Sequence, residues 1–220
     1  HTSAIKTVGT LWFWGFNFYG QLGLSDITHR SSPVQVGSSD QWKNILTHTS
    51  HNILAFHNDG SLWSCGINSF GYCGTGNSVH YKYLTKIGSP RWTKVSAGLG
   101  HFLAIDSIGY LWSMGNNSFG QLGQGDITHR SSITQVGKEN FWLQVACGER
   151  FSSALRTDGT LWAWGYNGLG QLGLSNVTNR SSPVQVGTLS DWSIISVGGN
   201  ASMNSIKTDG TLWGWGRNSN

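Results

Sequence analysis

Residues 158–173 read D-G-T-L-W-A-W-G-Y-N-G-L-G-Q-L-G, and residues 209–216 start the phrase again as D-G-T-L-W-G-W-G. Its Leu-Trp pair falls at Leu11-Trp12, Leu62-Trp63, Leu111-Trp112, Leu161-Trp162 and Leu212-Trp213, at spacings of 51, 49, 50 and 51. A second tryptophan series, Trp42, Trp92, Trp142 and Trp192, keeps a period of 50. Two tryptophan ladders sharing one period identify a repeat protein. The apolar segments within each period are four to seven residues long, bounded by Gly or Asp-Gly, and rich in Trp, Val, Ile, Leu and Thr. They are too short for helices and read as strands. Asp59-Gly60, Asp158-Gly159 and Asp209-Gly210 suit two-residue hairpins, which need positive φ; Val8-Gly9 and Ile108-Gly109 keep only the glycine.

Four short strands per 50 residues cannot bury a face alone and must stack on neighbours. The expected fold is therefore all-β, a β-propeller of four-stranded blades with tryptophans packed between adjacent blades. The units run approximately 1–41 (partial), 42–91, 92–141, 142–191 and 192–220 (partial), a single array of about 4.4 repeats. A chain that opens and closes inside a unit is expected to be part of a longer polypeptide, to be completed by further copies, or to close a small ring, with the first preferred.

The phrases N-S-F-G-Q-L-G (117–123) and N-G-L-G-Q-L-G (167–173), in order with the Asp-Gly phrase above, resemble the regulator of chromosome condensation repeat family over essentially the whole chain. That resemblance implies a propeller whose members do unrelated work, including nucleotide exchange on a small GTPase and ultraviolet-B sensing. The Gly-Trp-Arg-His-Thr phrase of the photoreceptor is missing, and the chain is poor in acids for an exchange factor. The second unit departs from the family pattern: Gly71-Tyr72-Cys73-Gly74 replaces G-Q-L-G, and residues 77–83 lose the D-x-T-x-R-S-S phrase.

Composition narrows the chemistry. Of 220 residues, 31 are Gly, 12 are Trp and only 11% are charged. The net charge of +4 comes from scattered Lys and Arg, which makes a nucleic-acid partner unlikely, and no apolar run is long enough for a membrane helix. Cys65, Cys73 and Cys147 lack C-x-x-C spacing and read as buried free thiols. No P-loop or G-x-S-x-G elbow occurs, so no cofactor, metal or catalytic residue is expected and the chain reads as non-enzymatic. Asp26, Asp59, Asp126, Asp158 and Asp209 recur at turn positions, while Asp40, Asp106 and Asp191 fall outside the repeat pattern. His29 and His129 share one repeat position, His51 and His101 another, which favours loop hydrogen bonding over metal ligation. Arg30, Arg130 and Arg180 recur in R-S-S and are expected to bond a neighbouring blade's carbonyls.

Positions that differ among repeats are free to meet a partner. The turn after the first strand varies and supplies His48, His51, Leu99, His101, Glu149, Arg150, Phe151 and Asn200; the irregular second-unit loop adds Tyr72, His80, Tyr81, Lys82 and Tyr83. These are the candidate partner-binding residues, tyrosine being a common interface anchor. The expected role is a non-enzymatic protein-interaction or structural scaffold module, with a segment of a larger surface, secreted or virion protein as one setting for it. Nucleotide exchange or chromatin-associated regulation of a small GTPase is the alternative, and a glycan-binding adhesin the third. Compartment is open.

Overall fold

The computed structural model describes residues 1–47, 51–88, 91–198 and 201–217, and the described residues contain no helix. Five antiparallel sheets follow one another along the chain. The first holds β1 (Thr2–Ile5), β2 (Leu11–Gly15) and β3 (Arg30–Gln35); the second holds β4 (Trp42–Thr47), β5 (Asn52–His57), β6 (Leu62–Gly66) and β7 (Tyr81–Ile87). The third holds β8 (Trp92–Ala97), β9 (His101–Asp106), β10 (Leu111–Gly115) and β11 (Arg130–Gln135). The fourth holds β12 (Trp142–Cys147), β13 (Phe151–Arg156), β14 (Leu161–Gly165) and β15 (Arg180–Gln185); the fifth holds β16 (Trp192–Gly198), β17 (Ser202–Lys207) and β18 (Leu212–Gly216). Every sheet is a meander in sequence order, the blade of a β-propeller. The residues form two compact units, 1–92 with 131–133, and 93–130 with 134–220.

Each blade is tied to the next by its backbone. In the first unit Trp42 N donates to Gly9 O at 3.1 Å and Trp92 N to Gly60 O at 2.9 Å; in the second, Trp142 and Trp192 donate to Gly109 and Gly159 at 3.2 Å. One tryptophan ladder thus begins each blade bonded to the hairpin of the blade before it. The second ladder meets the first edge to face: Trp42 on Trp63 at 79°, Trp142 on Trp162 at 80°, Trp192 on Trp213 at 85°. This geometry suits the aromatic quadrupole, and the large rings supply much of the buried area between blades.

The other tie comes from the loop before each fourth strand. Ser25 N donates to Lys82 O and Gly76 N to Ser131 O in the first unit, and Gly125 N to Ser181 O in the second, each at 2.8 Å. The first glycine of G-Q-L-G makes the approach possible. A Cβ on Gly20, Gly71 or Gly120 would stand 2.6, 2.2 or 2.5 Å from the Cα of Lys82, Ser131 or Ser181, and all three glycines have φ near +80°. A side chain would fail on both counts.

The arginines therefore have a different task from the one expected. Arg30 Nη1 and Arg130 Nη1 donate at 2.8 Å to Thr28 O and Thr128 O of their own loops. Each also pairs with its own loop's aspartate, Asp26 or Asp126. The contact to a neighbouring blade is made through the serine that follows the arginine.

Asp106 also proves to belong to the repeat. In three blades an aspartate caps the hairpin by accepting from the amide two residues on, as Asp158 does from Thr160 at 2.9 Å, and the hydroxyl accepts the indole N–H of Trp162 at 2.9 Å. The third blade has Ile108 and Tyr110 at these two positions. There Asp106, two residues upstream, accepts from Ile108 N and Tyr110 N at 3.0 Å and from Trp112 Nε1 at 2.9 Å. One carboxylate replaces two side chains. Asp106→Lys alone is expected to leave these donors bare and cost about 2 kcal/mol. Adding Ile108→Asp and Tyr110→Thr should restore most of it, a non-additivity read by denaturant unfolding of the single, double and triple variants. Additive losses would refute the substitution account.

Candidate functional site

A four-stranded meander places its first turn and its last loop at one end, with the central hairpin at the other. The last loop is organised around a buried asparagine. Asn17 Oδ1 accepts from Leu22 N at 2.9 Å, while Nδ2 donates to Asp26 O and Thr28 O at 3.1 Å. Asn117 and Asn167 repeat this pattern. The second blade was expected to differ but keeps the hub: Cys73 N donates to Asn68 Oδ1 at 2.7 Å, and Asn68 Nδ2 donates to Asn77 O and Val79 O. Asn77 stands in for the aspartate, and Tyr81, at the arginine position, accepts from Asn77 Nδ2 at 2.9 Å.

The histidines close these loops. Asn17 N donates to His29 Nδ1 at 3.0 Å, Asn68 N to His80 Nδ1 at 3.0 Å and Asn117 N to His129 Nδ1 at 2.9 Å; in the fourth blade Asn179 Oδ1 takes the same bond at 2.9 Å. With Nδ1 accepting, the neutral ring carries its proton on Nε2. The amide of Thr28, with Arg30 beside it, holds the Asp26 carboxyl below the usual range, and the hydroxyl of Ser61 holds Asp59 down to about 2. These carboxylates are turn staples. Burial pushes the Cys73 thiol up to about 11 and that of Cys147 to about 12, so neither supplies a thiolate nucleophile near neutral pH.

The loops of the first two blades bring together a group of rings. Phe16 lies 6.3 Å from Phe18, 5.0 Å from His29 and 5.5 Å from His51; Tyr19 lies 5.1 Å from Phe18, 5.7 Å from His51 and 5.5 Å from His80. Phe16 is 40% exposed and Phe18 59%, and all three histidines are exposed. Two large phenyl rings open to solvent beside imidazoles do nothing for the core. Other repeats lack the combination: the Phe16 position holds Ile67, Asn116, Tyr166 and Arg217, and the Phe18 position Ser69, Ser118 and Gly168. A smaller group occupies the corresponding place in the second unit, where Tyr166 lies 5.1 Å from Phe119 and the Arg150 guanidinium 5.4 Å over that ring.

Several candidates from sequence lie in these groups: His51 and His80 in the first, Arg150 in the second. Lys82 and Tyr83 are exposed and Tyr81 half-buried, with Tyr81 and Tyr83 edge to face at 5.8 Å. Leu99 and Glu149 are half-buried and joined by a 3.0 Å bond from Leu99 N to Glu149 O. His101, Phe151 and Tyr72 are buried, and for these the expectation of an accessible surface is corrected. Ser152 Oγ donates to Gln121 O at 2.7 Å and accepts from His101 Nε2 at 3.0 Å, which makes His101 part of the contact between blades. His48 and Asn200 fall outside the described residues. Phe16, Phe18 and Tyr19 were missed because the contacts of Phe16 with His51 and of Tyr19 with His51 and His80 cross from one blade to the next. The departure of Phe16 and Phe18 from the other repeats at the same positions was the available signal.

The model of the regulator of chromosome condensation (RCC1) repeat matches residues 8–53, 59–105, 109–155 and 158–203. The chain belongs to the RCC1 repeat family. Among curated RCC1-related proteins, the ultraviolet-B receptor UVR8 of Arabidopsis thaliana is 29% identical over 109 residues, 48% of this chain and 25% of the receptor. The secretion-regulating guanine nucleotide exchange factor of Bos taurus is 34% identical over 89 residues, 39% of this chain and 19% of that protein. Human WBSCR16 superimposes with a TM-score of 0.82 at 22% identity, covering 97% of this chain and 58% of its own. Yeast RCC1 (Prp20), solved bound to Kap60, gives 0.81 at 17%, covering 97% and 53%. The solved structures establish the propeller fold. This RCC1-repeat chain spans a quarter or less of these curated relatives and under three fifths of these solved ones.

Proposed function

We propose that the chain is a non-enzymatic protein-interaction or structural module, and that a protein partner seats on the ring cluster of Phe16, Phe18, Tyr19, His29, His51 and His80, with Tyr81, Lys82 and Tyr83 at its margin. The observation that carries this reading is the joint exposure of Phe16 and Phe18, two phenyl rings at a pair of positions where no other repeat has two aromatic residues. Clustered aromatic side chains supply contact area at low entropic cost and dominate interface energetics. A photo-crosslinking residue at position 18 is expected to trap a polypeptide, whereas the same residue at position 118, its counterpart in the third repeat, is not. Equal trapping at both positions would remove the cluster from the account.

The second reading, nucleotide exchange on a small GTPase, is supported by the likeness to the bovine exchange factor. It predicts faster nucleotide release from a GTPase when the chain is added. No acceleration across a panel of GTPases would sink it.

A further inference from the structure

A cavity of about 440 Å³ opens within the second unit, between the third and fourth blades, with Trp142, Trp162, Arg156, Lys138, Glu139 and Gln124 among its walls. Its volume is in the range of small-ligand sites, roughly 300–1,000 Å³. The Arg156 guanidinium lies 3.9 Å from the centre of the Trp162 ring and 4.7 Å from that of Trp142. Its Nη2 pairs with Glu139, and its Nε is buried with no hydrogen-bond partner. The corresponding residues of the other repeats are Lys6, His57, Asp106 and Lys207, so the fourth repeat is the one that places a planar fork at this position.

We propose that this cavity binds a carboxylate carried on a peptide, with Arg156 as the fork that receives it, Lys138 as a second cation and Glu139 as the resident competitor. Contact with two indole rings limits the guanidinium's rotamers before the ligand arrives, so less freedom is lost on binding. The rings also shield the site from water, which strengthens attraction to an anion. Glu139 is the mobile party to the exchange: its side chain is 52% exposed against 16% for Arg156. A partner carboxylate would take its place without leaving the arginine bare.

The test uses a peptide probe, acetyl-Ala-Ala-Phe with a free C-terminal carboxylate, its C-terminal amide, and inorganic phosphate, each titrated while the indole N–H resonances of Trp142 and Trp162 are followed. The carboxylate peptide is expected to shift both resonances, and the amide neither. Glu139→Gln, which removes the competitor and keeps the shape, should tighten binding about fivefold. Arg156→Lys, which keeps charge but loses the fork, should weaken it about tenfold or more. Thermal melts of both variants separate binding from folding, and the gain in Glu139→Gln cannot come from misfolding. Equal binding of the amide, no tightening in Glu139→Gln, a preference for phosphate, or no shift in either protein would each overturn the proposal. The cavity lies in the second unit and the ring cluster in the first, so either reading can fail alone.

Discussion

Trp164→Ala is expected to destabilise the protein by about 4 kcal/mol, the cost of removing a fully buried large aromatic side chain and leaving a cavity. Trp164 is completely buried, meets Trp142 at 6.3 Å, and donates from Nε1 to Gln121 O of the preceding blade at 2.9 Å. The loss therefore combines apolar area, an aromatic pair and a hydrogen bond between blades. Trp164→Phe should recover most of the packing but not the bond, leaving about 1–2 kcal/mol. Trp213, 49% exposed in the last sheet, is the contrast. Its alanine variant should lose under about 1 kcal/mol in the same urea series. A similar cost at both positions would mean that burial does not set the difference between them.

Asn117→Ala is expected to cost about 3 kcal/mol, although it deletes only a small polar side chain. Asn117 is fully buried; its Oδ1 accepts from Leu122 N at 2.9 Å, and its Nδ2 donates to Asp126 O at 3.0 Å and Thr128 O at 3.1 Å. Truncation leaves a buried amide and two carbonyls without that partner, each costing about 1 kcal/mol or more. The loop it organises carries Gly120 and Gly125, which dock on Ser181 of the next blade, so the damage should reach beyond the third repeat. Amide hydrogen exchange is the direct readout: Leu122 and Gly125 should lose protection together. If Leu122 alone exchanges faster, the loop does not transmit its order to the contact between blades.

The fold was readable because its determinants are local and repeated. The Leu-Trp pair, the Asp-Gly hairpin and G-Q-L-G each act within a few residues and recur at one period, so comparison among the repeats exposed them. Three features resisted. Asp106 looked idle because its task had moved by two positions, which becomes visible only when Ile108 and Tyr110 are seen to lack the usual capping groups. Arg30 and Arg130 recur for a reason inside their own loops, where recurrence alone suggested a contact between blades. The turn register also misled: in the sheets His101 and Phe151 pair with Gly115 and Gly165 as Asn52, not His51, pairs with Gly66, and all three are buried. Exposed His51 corresponds instead to Gly100 and Arg150. The segment from Trp42 to Asn52 is one residue longer than its counterparts from Trp92 to His101 and from Trp142 to Phe151, and a fixed period of 50 hides that insertion.

The account divides the chain between residues that the blades share, which hold the fold, and Phe16 and Phe18, which the first repeat alone carries and which anchor the partner. The most direct test replaces Phe16, Phe18 and Tyr19 by their third-repeat counterparts, as Phe16→Asn, Phe18→Ser and Tyr19→Phe, and measures melting temperature and capture of the crosslinked partner on the same protein, with the crosslinking residue at Tyr83. Unchanged melting with capture abolished is the predicted result. Capture that persists in the folded triple variant, or a loss of stability comparable to that of Trp164→Ala, would contradict it.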